Sequence, residues 1–280
     1  METTLAALYN DLRKSLRDVS DTPDLDARLL IAHAFSCAPD DVLFKPDMGV
    51  NASHAVYTDA VSRRMKHEPV AKIIGHREFY GHDFVVNRDV LDPRPDTETL
   101  VDEGVKFLRT LDTPRPDVLD MCCGSACILV SVLHLFPQAR GTGADKSDAA
   151  LRVAAENLTR HGMDARATLV QSDYFSGLEG VFDCILCNPP YIPSQDIESL
   201  DSDVKNYDPA LALDGGESGL CAYEILFPQI RNYLKDGGRA FFEFGAGQEG
   251  DVGRLAQNCG LTVHGWYRDL GGHVRVVCVA

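Results

Sequence analysis

From residue 117 to the C-terminus the chain alternates short apolar runs with amphipathic stretches, and this alternation restricts the fold more than any other feature. The runs at 117–121, 141–145, 167–171, 181–187 and 239–244 read as strands. The stretches at 128–136, 148–161, 223–234 and 248–258 read as helices. A strand that returns through a helix pairs in parallel with its predecessor. The expected fold class is therefore α/β, a doubly wound, mainly parallel sheet with helices on both faces. Two closing β segments, 261–267 and 273–279, have no helix between them and predict an antiparallel pair at the sheet edge.

The first 75 residues follow a different period. Leu5, Leu8, Leu12 and Leu16 recur at helical spacing, and Pro23 opens a second helix with Leu25, Leu29, Leu30 and Ala34 along one side. A third helix is expected over 52–66. Residues 76–92 then change period around Gly81, as two short strands of a β-hairpin do. After Pro93-Arg94-Pro95 another helix begins at 96–99. The expected organisation is a small helical domain over 1–75, a hairpin linker over 76–92 and the α/β domain over 93–280.

Charge narrows the function classes. The 280 residues carry a formal net charge of −15, which repels a phosphate backbone and argues against direct nucleic-acid binding. It suits a partner with a basic surface. No window offers the roughly 20 apolar residues of a membrane span, and the N-terminal stretch does not read as a signal peptide. The nine cysteines are odd in number and irregularly spaced, which fits a reducing cytoplasm. Cys184 and Cys187 have the C-x-x-C form. On a strand, however, positions three apart face opposite ways, so small buried side chains are expected and not a metal site. No apolar helix face asks for a partner, so a monomer is expected.

Three segments carry chemistry. The first strand runs into Cys122-Cys123-Gly124-Ser125-Ala126 and then a helix, a turn where small residues let a ligand approach backbone N–H groups. Asp145 ends the second strand, where an acid is placed to take both hydroxyls of a ribose or simply to cap the next helix. Together they indicate a nucleoside-containing cofactor. Asn188-Pro189-Pro190-Tyr191 follows the fourth strand directly, at the strand end where such sheets place ligands. The prolines fix the backbone and leave carbonyls free to accept. Asn188 adds a side-chain carbonyl and Tyr191 an aromatic wall, a set suited to a planar amino group. Cys122 and Cys123 are not expected to be nucleophiles, because no histidine lies beside them in the strand–turn segment, the one in the following helix, His134, standing at its far end, and because methyl transfer needs no covalent intermediate.

At these residues the chain resembles the release factor glutamine methyltransferases, the PrmC/HemK family, over nearly its whole length. The resemblance rests on Glu78-Phe79-Tyr80-Gly81, Arg94-Pro95-Asp96-Thr97-Glu98, Asn188-Pro189-Pro190-Tyr191-Ile192, the segment 208–216, Glu243-Phe244-Gly245, and the segment 269–275. It implies a Rossmann-like class I methyltransferase domain behind a helical substrate-docking domain. It also implies S-adenosyl-L-methionine against Cys122, Cys123, Gly124, Ser125 and Ala126, with Asp145 on the ribose and Asp173 and Tyr174 flanking the adenine. Asn188 to Tyr191, with Arg94 and Glu98, would hold the substrate glutamine of a Gly-Gly-Gln loop in a class I peptide chain release factor, methylated on N5. The chain departs from the family where G-x-G-x-G is usual, keeping only Gly124 of the three glycines. Asp96 replaces the usual Glu and Val274 the usual Asp. These two are smaller departures; non-glycine residues resist φ > 0, so it is the altered turn that bears on cofactor affinity, more than on fold. The competing readings are an adenine-N6 DNA methyltransferase, a ribosomal-protein glutamine methyltransferase and a non-catalytic relative with weakened cofactor binding.

Overall fold

A computed structural model describes residues 2–280 and divides into two units. In chain order the elements are β1 (Glu2–Thr4), α1 (Leu5–Ser15), α2 (Pro23–Phe35), α3 (Asp41–Phe44), β2 (Gly49–Asn51), α4 (Ala55–Arg64) and α5 (Val70–Ile74). A hairpin, β3 (His76–Phe79) and β4 (His82–Val85), follows. Then come α6 (Glu98–Leu108), β5 (Asp117–Met121), α7 (Cys127–Leu135), β6 (Arg140–Asp145), α8 (Asp148–Arg160), β7 (Ala167–Gln171) and β8 (Phe182–Cys187). The chain closes with α9 (Ser202–Tyr207), α10 (Ala210–Leu213), α11 (Cys221–Leu226), β9 (Leu234–Glu243), α12 (Glu249–Asn258), β10 (Val263–Arg268) and β11 (Val274–Val279).

The first unit runs from the N-terminus through His76 and takes in Asp201–Tyr207. Its core gathers Leu5, Leu8, Leu12 and Leu16 with Ala27, Leu30 and Ile31. The buried face of α2 differs from the expected one. Leu25 is exposed and Leu29 only partly covered, whereas Asp26 is buried. The reason is an ion pair: Asp26 Oδ2 accepts from Arg64 Nε at 2.8 Å, both side chains nearly solvent-free. Arg64 also donates to Asp203 and to the Val19 carbonyl, which ties α9 into this unit. The third helix is shorter than 52–66 because Gly49–Asn51 pairs antiparallel with Glu2–Thr4, a two-strand ribbon the apolar pattern does not announce.

The second unit is built on a seven-stranded sheet of order β10-β11-β9-β8-β5-β6-β7. The strands β5 to β9 are parallel, and β11 and β10 add antiparallel at one edge. Alternate residues serve two cores. Val118, Cys184 and Leu186 face the one made with α6, α7 and α8, which also receives Phe79 and Phe84 of the hairpin. Leu119, Ile185 and Cys187 face the one made with α11 and α12. Thus β8 sends Cys184 and Cys187 into different cores. The helix expected over 223–234 stops at Leu226, and β9 starts at Leu234 instead of 239. Pro228 has no N–H to continue the ladder. Val181 is exposed and lies outside β8.

The order of the sheet sets the place of the site. From β5 the chain moves outward through β6 and β7, then returns to the other flank of β5 with β8 and β9. The carboxyl ends of β5 and β8 therefore border the crevice where the winding reverses, the preferred ligand position in such sheets. Among the described residues, no helix is long and apolar enough to cross a membrane.

Candidate functional site

A cavity of about 220 Å³ opens at this reversal point. It brings together Cys122, Cys123, Gly124 and Ser125 from the turn after β5, Asp145 from the end of β6, and Asp173 and Tyr174 from beyond β7. Asn188 and Pro190 enter from the end of β8, and Arg94 from the segment before α6. Ala126, Pro189, Tyr191 and Glu98 do not line it. Glu98 accepts from the Tyr80 backbone N–H at 3.2 Å and so anchors the hairpin turn.

The turn after β5 keeps a glycine-like path despite its composition. Cys122, Gly124 and Ala126 all take left-handed φ, at 61°, 51° and 61°. These are the three positions where glycines were expected. For the two non-glycine residues this conformation costs about 1–2 kcal/mol each. A Cβ built on Gly124 would meet no atom within 4 Å, so the space beside this backbone is open cavity. Beneath the turn, Asp120 is fully buried and its Oδ2 accepts from Leu129 N–H in the first turn of α7, at 3.1 Å. Its Oδ1 has no hydrogen-bond partner, and burial pushes the group up to about 8.

Asp145 bridges two loops. Its Oδ2 accepts from Gly124 N–H at 2.9 Å and its Oδ1 from Ser147 N–H at 2.8 Å. The cap of α8 is Ser147 itself, whose hydroxyl accepts from Ala150 N–H at 3.1 Å, so Asp145 is free of that role. Burial raises the Asp145 pKa against these backbone donors. Tyr174, also at left-handed φ, forms part of the apolar wall with Met121 and Ile128. The open turn, the helix N-terminus and the half-buried acid fit the donor and acceptor set of a nucleoside carrying a charged tail.

Asn188 stands opposite. Its Nδ2 donates to Thr97 Oγ1 at 3.2 Å, which leaves Oδ1 as the acceptor. Behind it lies Glu243, at the end of β9 and 2% exposed. Burial pushes Glu243 up to about 7, while the Thr97 hydroxyl, the Arg275 guanidinium and the Tyr191 hydroxyl pull the other way. Its Oε2 has no hydrogen-bond partner. The segment after Tyr191 is fixed by Ile192 N–H to Leu213 carbonyl at 3.0 Å and Gly215 N–H to Ile192 carbonyl at 2.8 Å. Arg94 pairs with buried Asp208 at 2.8 Å, so the segments before α6 and before α10 share one wall of the cavity. Sequence reasoning placed Thr97 and Glu243 in family-like segments without giving either a role. The signal was their place in those segments, at a helix start and a strand end. Leu211 and Ala212, in the family-like segment 208–216, also line the cavity without having been given a role, and Lys146 and Ser147 line it with no signal in the sequence.

The comparisons with known proteins agree with this architecture. Residues 7–75 match the family described as PrmC N-terminal domain, and residues 97–202 match the one described as Methyltransferase small domain. A release factor glutamine methyltransferase of Rhodospirillum rubrum is 42% identical over 256 residues, covering 91% of this chain and 78% of that protein. One from Agrobacterium fabrum is 36% identical, covering 99% of this chain and 97% of that protein. Among solved structures, a methyltransferase from Pyrococcus furiosus is similar in fold, with a TM-score of 0.53 and 17% identity, over 79% of this chain and 98% of that one.

Proposed function

This chain belongs to the release factor glutamine methyltransferase family, and from that premise we propose that it methylates N5 of the glutamine in the Gly-Gly-Gln loop of a class I peptide chain release factor. The methyl donor in this reading is S-adenosyl-L-methionine. The observation that carries the proposal is the placement of Asn188, amide oriented by Thr97, in the same cavity as Gly124 and Asp145.

The open turn at Gly124 and the carboxylate of Asp145 would hold the cofactor, with Asp145 toward the ribose and Tyr174 against the adenine. When bound, the cofactor supplies a methyl group already activated on a sulfonium. An amide nitrogen is a weak nucleophile because its lone pair is delocalised into the carbonyl. The work left to the chain is orientation and stabilisation of positive charge on that nitrogen. Asn188 Oδ1 is one acceptor for the substrate N–H groups. Pro189 itself is buried outside the cavity lining; its carbonyl, which no backbone N–H of the described residues reaches, is the second acceptor in this reading. Two acceptors fix the nitrogen in line with the methyl carbon, and positioning of this kind lowers barriers by about 7–11 kcal/mol. Both acceptors bind more tightly as the nitrogen becomes positive, which favours the transition state. No base is needed before transfer, because the amide proton becomes acidic once the new bond forms.

The helical N-terminal unit has no part in this cavity, and its role in this reading is to dock the protein substrate. The net charge of −15 is compatible with a basic partner domain and disfavours a DNA substrate. The direct test is mass spectrometry of a release factor incubated with the protein and S-adenosyl-L-methionine. One added methyl on the Gly-Gly-Gln glutamine is expected. An unmodified peptide, beside a positive-control enzyme that modifies the same sample, would reject the assignment.

A further inference from the structure

His82, His134 and His161 come from three elements of the second unit and converge on one point. One ring nitrogen of each lies within 4.8 Å of the other two. His82 opens β4, His134 sits in the last turn of α7, and His161 caps the C-terminus of α8. The His82 and His134 rings stack with centroids 4.1 Å apart, and His161 stands edge-on to both at 5.6 Å. None of the three lines the cavity, so the methyl-transfer site does not account for them.

Three imidazoles in one place repel one another once protonated. Neutral rings are the form that ligates metal. His161 Nε2 lies 3.1 Å from the Asp83 carbonyl oxygen. Donation to that carbonyl puts the proton on Nε2 and leaves Nδ1 with its lone pair. A backbone carbonyl holding the distal ring N–H is how metal-bound histidines are usually oriented. The charged neighbours are engaged elsewhere. Arg160 pairs with the Asp83 carboxylate, and Arg166 donates to the Leu133 and Ala139 carbonyls.

We propose that His82, His134 and His161 form a binding site for a divalent transition-metal ion of the zinc type, separate from the methyl-transfer site. An all-nitrogen donor set is wrong for Ca²⁺ or Mg²⁺, which take oxygen ligands. It suits Zn²⁺, Co²⁺, Ni²⁺ or Cu²⁺. Three protein ligands leave a fourth position, open to solvent on the side of exposed His134. Stacked rings aim their lone pairs side by side, so the His82 ring must turn out of its stack to ligate. His82 is only half-buried. The ion would join the hairpin to the far ends of α7 and α8. The near ends of these helices carry the Gly124 turn and Ser147, so the site acts on the rigidity of the cofactor frame and not on the reaction.

The test uses untagged full-length protein. Zn²⁺ is titrated in competition with a chromophoric chelator, and Co²⁺ is added separately to read the visible absorption of a tetrahedral site. The expected result is one ion per chain, with a nitrogen-ligand cobalt spectrum. Replacing exposed His134 by Ala should weaken binding by at least about tenfold, with circular dichroism unchanged, and His82→Gln should do the same. No ion retained by the wild type would overturn the proposal. So would equal affinity in both variants, or an intense sulfur-to-cobalt band, since either result would place the ion on the free thiols.

Discussion

Asn188 and Thr97 lie 91 positions apart and meet through a hydrogen bond of 3.2 Å, from the amide Nδ2 to the hydroxyl Oγ1. The bond decides which end of the asparagine amide faces the cavity. A hydroxyl that faces the Glu243 carboxylate has its proton drawn toward that acid, so its lone pair is left to accept from Asn188. The acceptor end of the amide then points into the cavity.

Two substitutions follow from this bond. Asn188→Ala should lower kcat by about 10² or more with the fold intact. Thr97→Val keeps the shape and removes the acceptor, so the amide can turn. It should lower kcat by about tenfold, the scale of one hydrogen bond, and leave cofactor KM nearly unchanged. Thr97→Ser should restore most of the rate. Steady-state kinetics on a release factor substrate separates these outcomes, and a Thr97→Val enzyme with wild-type kcat would remove Thr97 from the mechanism.

The left-handed turn gives a stability prediction. A buried alanine changed to glycine in a helix loses a methyl contact and helix propensity, together about 1–2 kcal/mol. Ala154, fully buried in α8, should behave so. Ala126 is equally buried but sits at φ 61°. There glycine relieves about 1–2 kcal/mol of backbone cost, which offsets the lost methyl and the greater freedom of the unfolded chain. Ala126→Gly should therefore be within about 0.5 kcal/mol of wild type. Urea midpoints of the two variants make the comparison, and equal losses would mean that Ala126 is unstrained.

Glu243 makes stability depend on pH in a defined direction. Burial lifts its pKa to about 7, above the unfolded value of about 4.3. Between these values the folded state holds the proton more tightly, so this group's contribution falls as pH rises from about 4.3 to about 7 and is flat above that. The loss amounts to a few kcal/mol at most. Glu243→Gln should be more stable than wild type at pH 8, with the difference vanishing near pH 4.5. Denaturation of both proteins at the two pH values cancels the background of other titrating groups. A constant difference would show that Glu243 keeps an ordinary pKa.

Much of this candidate site is legible in the sequence, and the rest is hidden for physical reasons. Strand periodicity and the two strand-end motifs placed Gly124, Asp145 and Asn188 at one crevice, because a parallel sheet brings the ends of β5, β6 and β8 together by topology alone. Local rules failed where a distant partner intervened. Asp26 is buried because Arg64 reaches it, and a hydrophobic stripe cannot encode an ion pair 38 residues away. The spacing predicts a helix over 223–234 straight through Pro228, although the lost N–H there favours a break. Glu98 shares a motif with Thr97 but faces the hairpin, since neighbours in a helix start point in different directions.

Asn157 shows a long-range role of the same kind, and it carries the last prediction. It is fully buried in α8 and makes three hydrogen bonds. Its Oδ1 accepts from Val85 N–H at 2.8 Å, and its Nδ2 donates to the Val85 carbonyl at 3.0 Å and the Ser125 carbonyl at 2.9 Å. One side chain thus ties the hairpin to the turn after β5. Asn157→Ala strands these buried backbone groups and should cost about 2–4 kcal/mol, at roughly 1–3 for each group that water cannot reach. Asn157→Asp is nearly the same size, yet it should cost more. The carboxylate still accepts from Val85, but it sets a second oxygen against two carbonyls and buries a charge with no cation to meet it. Its stability should therefore improve as pH falls toward 5, because protonation restores one donor. If the aspartate variant matched wild type in urea at pH 8, Asn157 would not hold the hairpin through its amide group.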